Sequence, residues 1–224
     1  MTRALAFDIY GTLINPHGVV VELEQRIGEM AQPFSNLWRD KQLEYSWRRG
    51  LMARYCDFGM CTGYALEYCN EVMQTGFDES TMNALMAAYR ELPAFDDVES
   101  CLQTLATEDY RLFAFSNGTF DMVDHLLKHA GIDHWFECII SVDELKTFKP
   151  DPKVYQAVIS KSGLNAQDCW LISSNPFDVT GAVACEMKAA WVRRSKAVVF
   201  DPWEYQPSVT ISQLGQLAAA VKSN

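Results

Sequence analysis

The chain has no basic footprint. It carries 29 acidic against 19 basic side chains in 224 residues, a formal net charge of -10. Arg48-Arg49 and Arg193-Arg194 are only pairs. A protein that binds a nucleic-acid duplex displaces counterions with clustered Lys and Arg, so no nucleic-acid partner is expected. An anionic substrate must be drawn by a few local cations, because the global field repels it. No apolar run is long enough to span a bilayer, and the N-terminus opens on Ala4-Leu5-Ala6-Phe7-Asp8 without a signal-peptide pattern. No membrane partner and a cytoplasmic location are expected. CxxC is also missing. The seven cysteines (Cys56, Cys61, Cys69, Cys101, Cys138, Cys169 and Cys185) are odd in number and lie mostly in apolar stretches. They read as buried free thiols in a reducing compartment, not as a disulfide framework or a catalytic thiol.

What is present is enough apolar material for a sizeable core, 49% of the residues. Four short apolar runs end in polar residues: Ala4 to Phe7 before Asp8, Leu112 to Phe115 before Ser116-Asn117, Cys138 to Ile140 before Ser141, and Trp170 to Ile172 before Ser173-Ser174-Asn175. A fifth run is Ala189 to Val192. Continuous apolar runs of this length suit strands buried on both faces of a parallel sheet. Helical stretches follow them. Thr119 is placed to cap a helix that ends at Gly131, and Asp151-Pro152 to open another that stops at Gly163. The alternation predicts an α/β fold, a Rossmann-like doubly wound parallel sheet with ligands at the carboxyl ends of its strands. Residues 15–92 break the alternation. Leu37, Tyr45, Trp47, Leu51 and Tyr55 recur at roughly helical spacing, and segments 61–75 and 80–92 also read as helical. We expect an inserted helical cap subdomain, 15–92, above an α/β core made of 1–14 and 93–224. Such a lid excludes water from chemistry, and it also adds core.

Asp8 follows a buried strand and precedes Tyr10-Gly11-Thr12, where Gly11 permits a tight turn. A carboxylate at such a strand mouth is able to attack carbon or phosphorus and form a covalent intermediate. Equally, it is able simply to bond loop amides. Later segments add to it. Ser116-Asn117-Gly118 offers a hydroxyl, an amide and backbone N–H groups suited to a carboxylate or oxyanion. Lys149-Pro150-Asp151 places a lysine before a helix start, and Ser173-Ser174-Asn175-Pro176-Phe177-Asp178 follows the fourth strand.

Taken together, in this order, the four segments resemble the haloacid dehalogenase superfamily. The likeness is closest to its (S)-2-haloacid dehalogenase branch. It includes Phe7 to Leu13, Leu37-Trp38-Arg39-Asp40-Lys41-Gln42-Leu43-Glu44-Tyr45, Arg54-Tyr55, and Tyr155 after Lys149-Pro150-Asp151. Phosphatases of that superfamily hold magnesium with the nucleophilic aspartate, the backbone carbonyl two residues later and a fourth-motif aspartate. They also place a general acid two residues after the nucleophile. Here Tyr10 and Ser174 stand at the acid and metal positions. A phenol titrates near 10, and a hard dication wants anionic oxygens. A 2-haloacid needs neither metal nor general acid, so the substitutions favour halide chemistry without a cofactor.

The resemblance implies a small 2-haloacid substrate. Asp8 would attack C2 from the side opposite the halogen, and water would then hydrolyse the aspartyl ester to an (R)-2-hydroxy acid. Lys149 would balance the charge of Asp8 and offset the developing oxyanion. Asp178, Asn175 and Ser173 would position or activate the water, and Tyr155 would join the substrate-binding residues. Ser116 would bind the substrate carboxylate, while Thr12 and Tyr10 orient the site. Arg39, Asn117 and Phe177 would cradle the halide, and Phe58 and Leu43 would wall the alkyl side. On periodicity alone, Arg39 reads instead as a surface salt bridge among Asp40, Lys41 and Glu44. Two departures bear on substrate range: Phe177 stands where relatives often carry tryptophan, and Asp40 where a neutral residue is common. His125 and His129 have zinc-compatible helical spacing, but no third ligand accompanies them, which favours solvent-facing helix residues. The rival functions are a metal-dependent or promiscuous phosphatase of the same fold and a non-enzymatic binding member. A homodimer is expected.

Overall fold

The computed structural model describes residues 2–224. Its centre is a six-stranded sheet built from β1 (Arg3–Asp8), β2 (Tyr110–Ser116), β3 (Cys138–Ser141), β4 (Cys169–Ser173), β5 (Lys188–Val192) and β6 (Val209–Ile211). The order is β3-β2-β1-β4-β5-β6, and every pairing is parallel. Residues Ala4 to Phe7 and Cys169 to Ile172 have no exposed surface. These strands are covered on both faces, which is why they read as unbroken apolar runs. The three-residue β6 gave no such signal.

Among the described residues nine α-helices accompany the sheet: α1 (Val20–Ile27), α2 (Ala31–Leu51), α3 (Phe58–Val72), α4 (Glu79–Tyr89), α5 (Val98–Ala106), α6 (Phe120–His129), α7 (Pro152–Ser162), α8 (Pro176–Ala184) and α9 (Leu217–Lys222). The chain winds from β1 outward to β3, then restarts at β4 and winds the other way. The two sets of crossovers therefore cover opposite faces, the doubly wound arrangement. α5 packs on α9, and α7 packs on α8. Several ends follow local chemistry. Thr119 Oγ1 accepts the Met122 N–H at the start of α6. Asp151 accepts the Lys153 N–H before α7, which has Pro152 in its first turn and stops at the left-handed Gly163.

α1 to α4 fill the interval between β1 and α5. This segment leaves and re-enters at one place. Asn15 N–H donates to the Pro93 carbonyl (2.9 Å) and Phe95 N–H to the Leu13 carbonyl (2.9 Å). α2 and α3 pack closely together. The helical reading of Tyr55 does not hold. α2 ends at Leu51, and Tyr55 lies in the connection to α3, where its hydroxyl donates to Asp143 (2.5 Å) and its ring stacks on Phe148. Loop aromatics docked by tertiary contacts mimic helical periodicity. No helix among the described residues is long and apolar enough to cross a membrane.

Candidate active site

The reversal of winding falls between β1 and β4, and Asp8 and Ser173 end those two strands. Their side chains meet in the crevice that such a reversal opens at the carboxyl edge. Gly11, with φ of 94°, makes the turn after β1 and brings Thr12 back under the carboxylate. Thr12 Oγ1 donates to Asp8 Oδ2 (2.7 Å) and accepts from the Ser174 N–H (2.8 Å). Asn175 Nδ2 (2.7 Å) and Ser173 Oγ (3.3 Å) also donate to Oδ2. Asp8 Oδ1 has one protein partner, Lys149 Nζ at 2.9 Å. The two carboxylate oxygens are thus unlike. One is crowded with donors, and the other keeps lone pairs free.

Lys149 is 1% exposed. Its ammonium donates to Asp8 Oδ1, to Asp178 Oδ2 (2.8 Å) and to the Phe115 carbonyl (3.0 Å), which uses all three hydrogens. Its own N–H donates to Asn117 Oδ1 (2.9 Å), tying the β2 edge to the lysine loop. Asp178 lies in the first turn of α8 with no exposed surface, and its Oδ1 accepts from the Tyr155 hydroxyl (2.8 Å). Burial pushes the Asp178 carboxyl up to about 6, against the downward pull of Lys149 and Tyr155. Burial beside Asp178 pushes the Tyr155 phenol up as well, so it stays a donor. The cluster needs Gly181. A Cβ there would sit 2.4 Å from the Tyr155 hydroxyl.

The remaining candidates ring this cluster. Ser116 Oγ accepts the Gly118 N–H (3.0 Å), which leaves its hydroxyl hydrogen available. The Tyr10 ring packs against Phe58 and Tyr89, with centroids at 5.6 and 6.0 Å, and burial raises its phenol further above the ordinary range. Phe177 meets Trp47 edge to face at 5.2 Å. Both line a cavity of about 670 Å³ with Phe148 and Trp203. Leu43 is half-buried one helical turn beyond Arg39.

Arg39 reaches down from α2. Its guanidinium donates to the Tyr10 carbonyl (3.1 Å) and to Gln42 Oε1 (2.6 Å). The surface salt bridge weighed for it is not formed. Glu44 pairs with Lys41 and Arg48, and Asp40, exposed, pairs with nothing among the described residues. The Tyr10 carbonyl takes a second donor, Asn175 Nδ2 (3.0 Å), and Ser174 Oγ donates to the Gly11 carbonyl (2.5 Å). Asp8 Oδ2 and the Tyr10 and Gly11 carbonyls, which lie between Asp8 and Ser174, already accept hydrogen bonds. No three His, Cys, Asp or Glu side chains converge as metal ligands among the described residues.

Gln42, Thr62 and Tyr89 also belong to this site. They are polar groups from three helices of the 15–92 segment, and no short sequence pattern links them. The cysteines take no part in the site's hydrogen bonds. All seven are free, and burial pushes Cys61, Cys69 and Cys101 up to about 12, far from a thiolate nucleophile.

A family model described as haloacid dehalogenase-like hydrolase matches residues 2–186. The (S)-2-haloacid dehalogenase 4A of Burkholderia cepacia is 37% identical over 80% of this chain and 78% of its own length. The haloacetate dehalogenase H-2 of Moraxella sp. (strain B) is 35% identical over 93% of each chain. Among solved structures, the L-2-haloacid dehalogenase of Xanthobacter autotrophicus with chloropropionic acid covalently bound superposes with a TM-score of 0.92 at 31% identity, covering 99% of each chain.

Proposed function

Because the chain belongs to the haloacid dehalogenase-like hydrolases, we propose that it is an (S)-2-haloacid dehalogenase that converts small 2-haloalkanoic acids to (R)-2-hydroxy acids with inversion. One observation carries this reading above all. Asp8 presents one oxygen free to attack while the other is held by Thr12, Asn175 and Ser173. Oδ1 attacks C2 opposite the halogen, and the halide leaves. Oδ2 becomes the ester carbonyl, surrounded by the donors that its oxyanion needs when water adds. Asp178 takes the proton of that water, a role suited by its raised pKa. The hydroxyl of Ser116 and nearby backbone N–H groups bind the substrate carboxylate. Asn117 turns its amide hydrogens to the halide, because its oxygen is already engaged by Lys149 N–H. Arg39 supplies positive charge with no carboxylate competing for it, and Phe177 closes the cradle. Phe58 and Leu43 face the alkyl group.

The residues do not fit a divalent cation. Ser174 replaces an anionic ligand, Lys149 contributes an opposing charge, and the Tyr10 carbonyl already accepts two donors. The reaction is accordingly metal-independent, and phosphoryl transfer, which relies on such an ion, is not favoured. Residues 15–92 act as a cap on a core of 1–14 and 93–224. Its support is the shared point of exit and return, with Arg39 and Phe58 reaching Tyr10 from above. Seven unpaired thiols favour a reducing cytoplasm. Exposed Leu51, Met52 and Tyr64 on and beside the first two long helices of the insert favour a homodimer. The experiment is a single turnover in heavy-oxygen water with enzyme in excess over (S)-2-chloropropionate. The label is expected in the Asp8 carboxylate, with unlabelled product, and Asp8→Asn is expected to lower turnover on the order of a thousandfold or more. Label in the first-turnover product would mean direct attack by water and would reject the ester.

A further inference from the structure

Gln42 has no exposed surface, yet it is polar and sits one turn after Arg39 on α2. The direction of its amide is settled by its neighbours. Gln42 Nε2 donates to Thr62 Oγ1 (2.6 Å), and the Thr62 hydroxyl hydrogen is spent on the Phe58 carbonyl (2.8 Å). Thr62 therefore has only acceptor capacity left for Gln42. This forces Gln42 Oε1 to the other side, where it accepts from Arg39 Nη1 (2.6 Å) and from the Tyr89 hydroxyl (3.1 Å). Arg39 Nη2 is fixed on the Tyr10 carbonyl, two residues from Asp8. Both acceptors that aim the guanidinium are neutral. A buried amide is costly unless its hydrogen bonds are made, and here both of its ends are satisfied.

We propose that Gln42 is a positioning residue for halide departure: it aims Arg39 without neutralising it, with Thr62 and Tyr89 fixing the direction of its amide. The inference rests on the reading of Arg39 as a halide ligand. A carboxylate of the same shape would aim the arginine equally well but would pair with it, and the pair would hold the halide poorly. Gln42→Glu thus adds charge beside Arg39 at nearly constant volume, and the Thr62 hydroxyl must turn from the Phe58 carbonyl to donate to the new carboxylate oxygen.

The test uses the full chain with Gln42→Glu, Thr62→Val, Tyr89→Phe and, as a reference, Arg39→Lys. Thermal melts establish folding. Two readouts follow: competitive inhibition by bromide and chloride, and the ratio of kcat/KM for 2-bromopropionate to that for 2-chloropropionate. A merely structural role would lower both substrates together and leave the ratio and halide inhibition alone. Gln42→Glu is expected to weaken halide inhibition about tenfold or more and to raise the bromo-to-chloro ratio, because chloride is the poorer leaving group. Thr62→Val, which frees the amide to turn, is expected to move both readouts the same way by roughly threefold. Tyr89→Phe, which removes the second group that fixes the amide, is expected to move both readouts in the same direction as Thr62→Val and by less. Should Gln42→Glu fail to fold, Thr62→Val still decides. If Arg39→Lys moves both readouts while Gln42→Glu and Thr62→Val move neither, the inference about Gln42 is overturned and the halide role of Arg39 stands. If Arg39→Lys also moves neither, the reading of Arg39 falls and this inference falls with it.

Discussion

Every hydrogen of the Lys149 ammonium already has a protein acceptor, so in the proposed mechanism the lysine acts through Asp8 and Asp178 and not by gripping substrate. That makes the ionisation of Asp178 consequential. Its pKa is raised by burial to about 6 from an ordinary value near 4. Below about pH 6 the carboxyl is protonated, loses its charge towards Lys149 and is unable to accept a proton from water. Above that pH it is ionised and competent. Because Asp178 acts on the water that hydrolyses the ester, after the halide has left, kcat for (S)-2-chloropropionate is expected to fall as pH drops through about 6. Tyr155 donates to Asp178 and favours its charged form. Tyr155→Phe is expected to move the acid limb to higher pH, and a pH–rate profile with an unmoved limb would count against Asp178 as the group responsible. Asp8, Lys149, Asn175 and Asp178 were legible in the sequence because each sits in a short motif at the end of a strand or the start of a helix. Gln42, Thr62 and Tyr89 were not, since an inward-facing polar residue on a helix looks the same as an outward-facing one until the partner helix is placed.

At the scale of elements, the site depends on how closely α7 approaches α8. Tyr155 from α7 reaches Asp178 only because α8 carries glycine at 181, one turn beyond the aspartate. In Gly181→Ala the new methyl meets the phenol oxygen and ring edge at 2.4 to 2.6 Å, so something must shift. The expected cost is about 1–3 kcal/mol in chemical unfolding, with a loss of activity larger than that of Tyr155→Phe. Wild-type stability and activity in Gly181→Ala would show that the helices have room to spare. The elements themselves were unequally readable. α6 and α7 announced both ends through Thr119, Asp151-Pro152 and the glycines at 131 and 163. α1, with one fully buried side chain, and β6, three residues long, carry too little periodicity to separate from their surroundings. The Pro176 start of α8 was visible only as a polar motif, because residues of the proposed site, Asp178 among them, occupy its first turn.

Across the whole molecule, the sheet order puts Asp8 where the winding reverses, and the helical insert delivers Arg39 and Phe58 over it from a single point of exit and return. The strands were legible as apolar runs. Their spatial order was not, because it is set by how crossovers pack on two faces and no strand encodes its neighbour. The same assembly fills with amide, hydroxyl and guanidinium donors the place where a phosphatase of this superfamily would seat its metal. The measurement that bears most directly on this is halide release from the separate enantiomers of 2-chloropropionate with a strong chelator present. The account predicts full turnover of the (S) form to (R)-lactate, none of the (R) form, and no effect of the chelator. Loss of halide release on chelation, together with magnesium-stimulated phosphate release from phosphate esters, would contradict it.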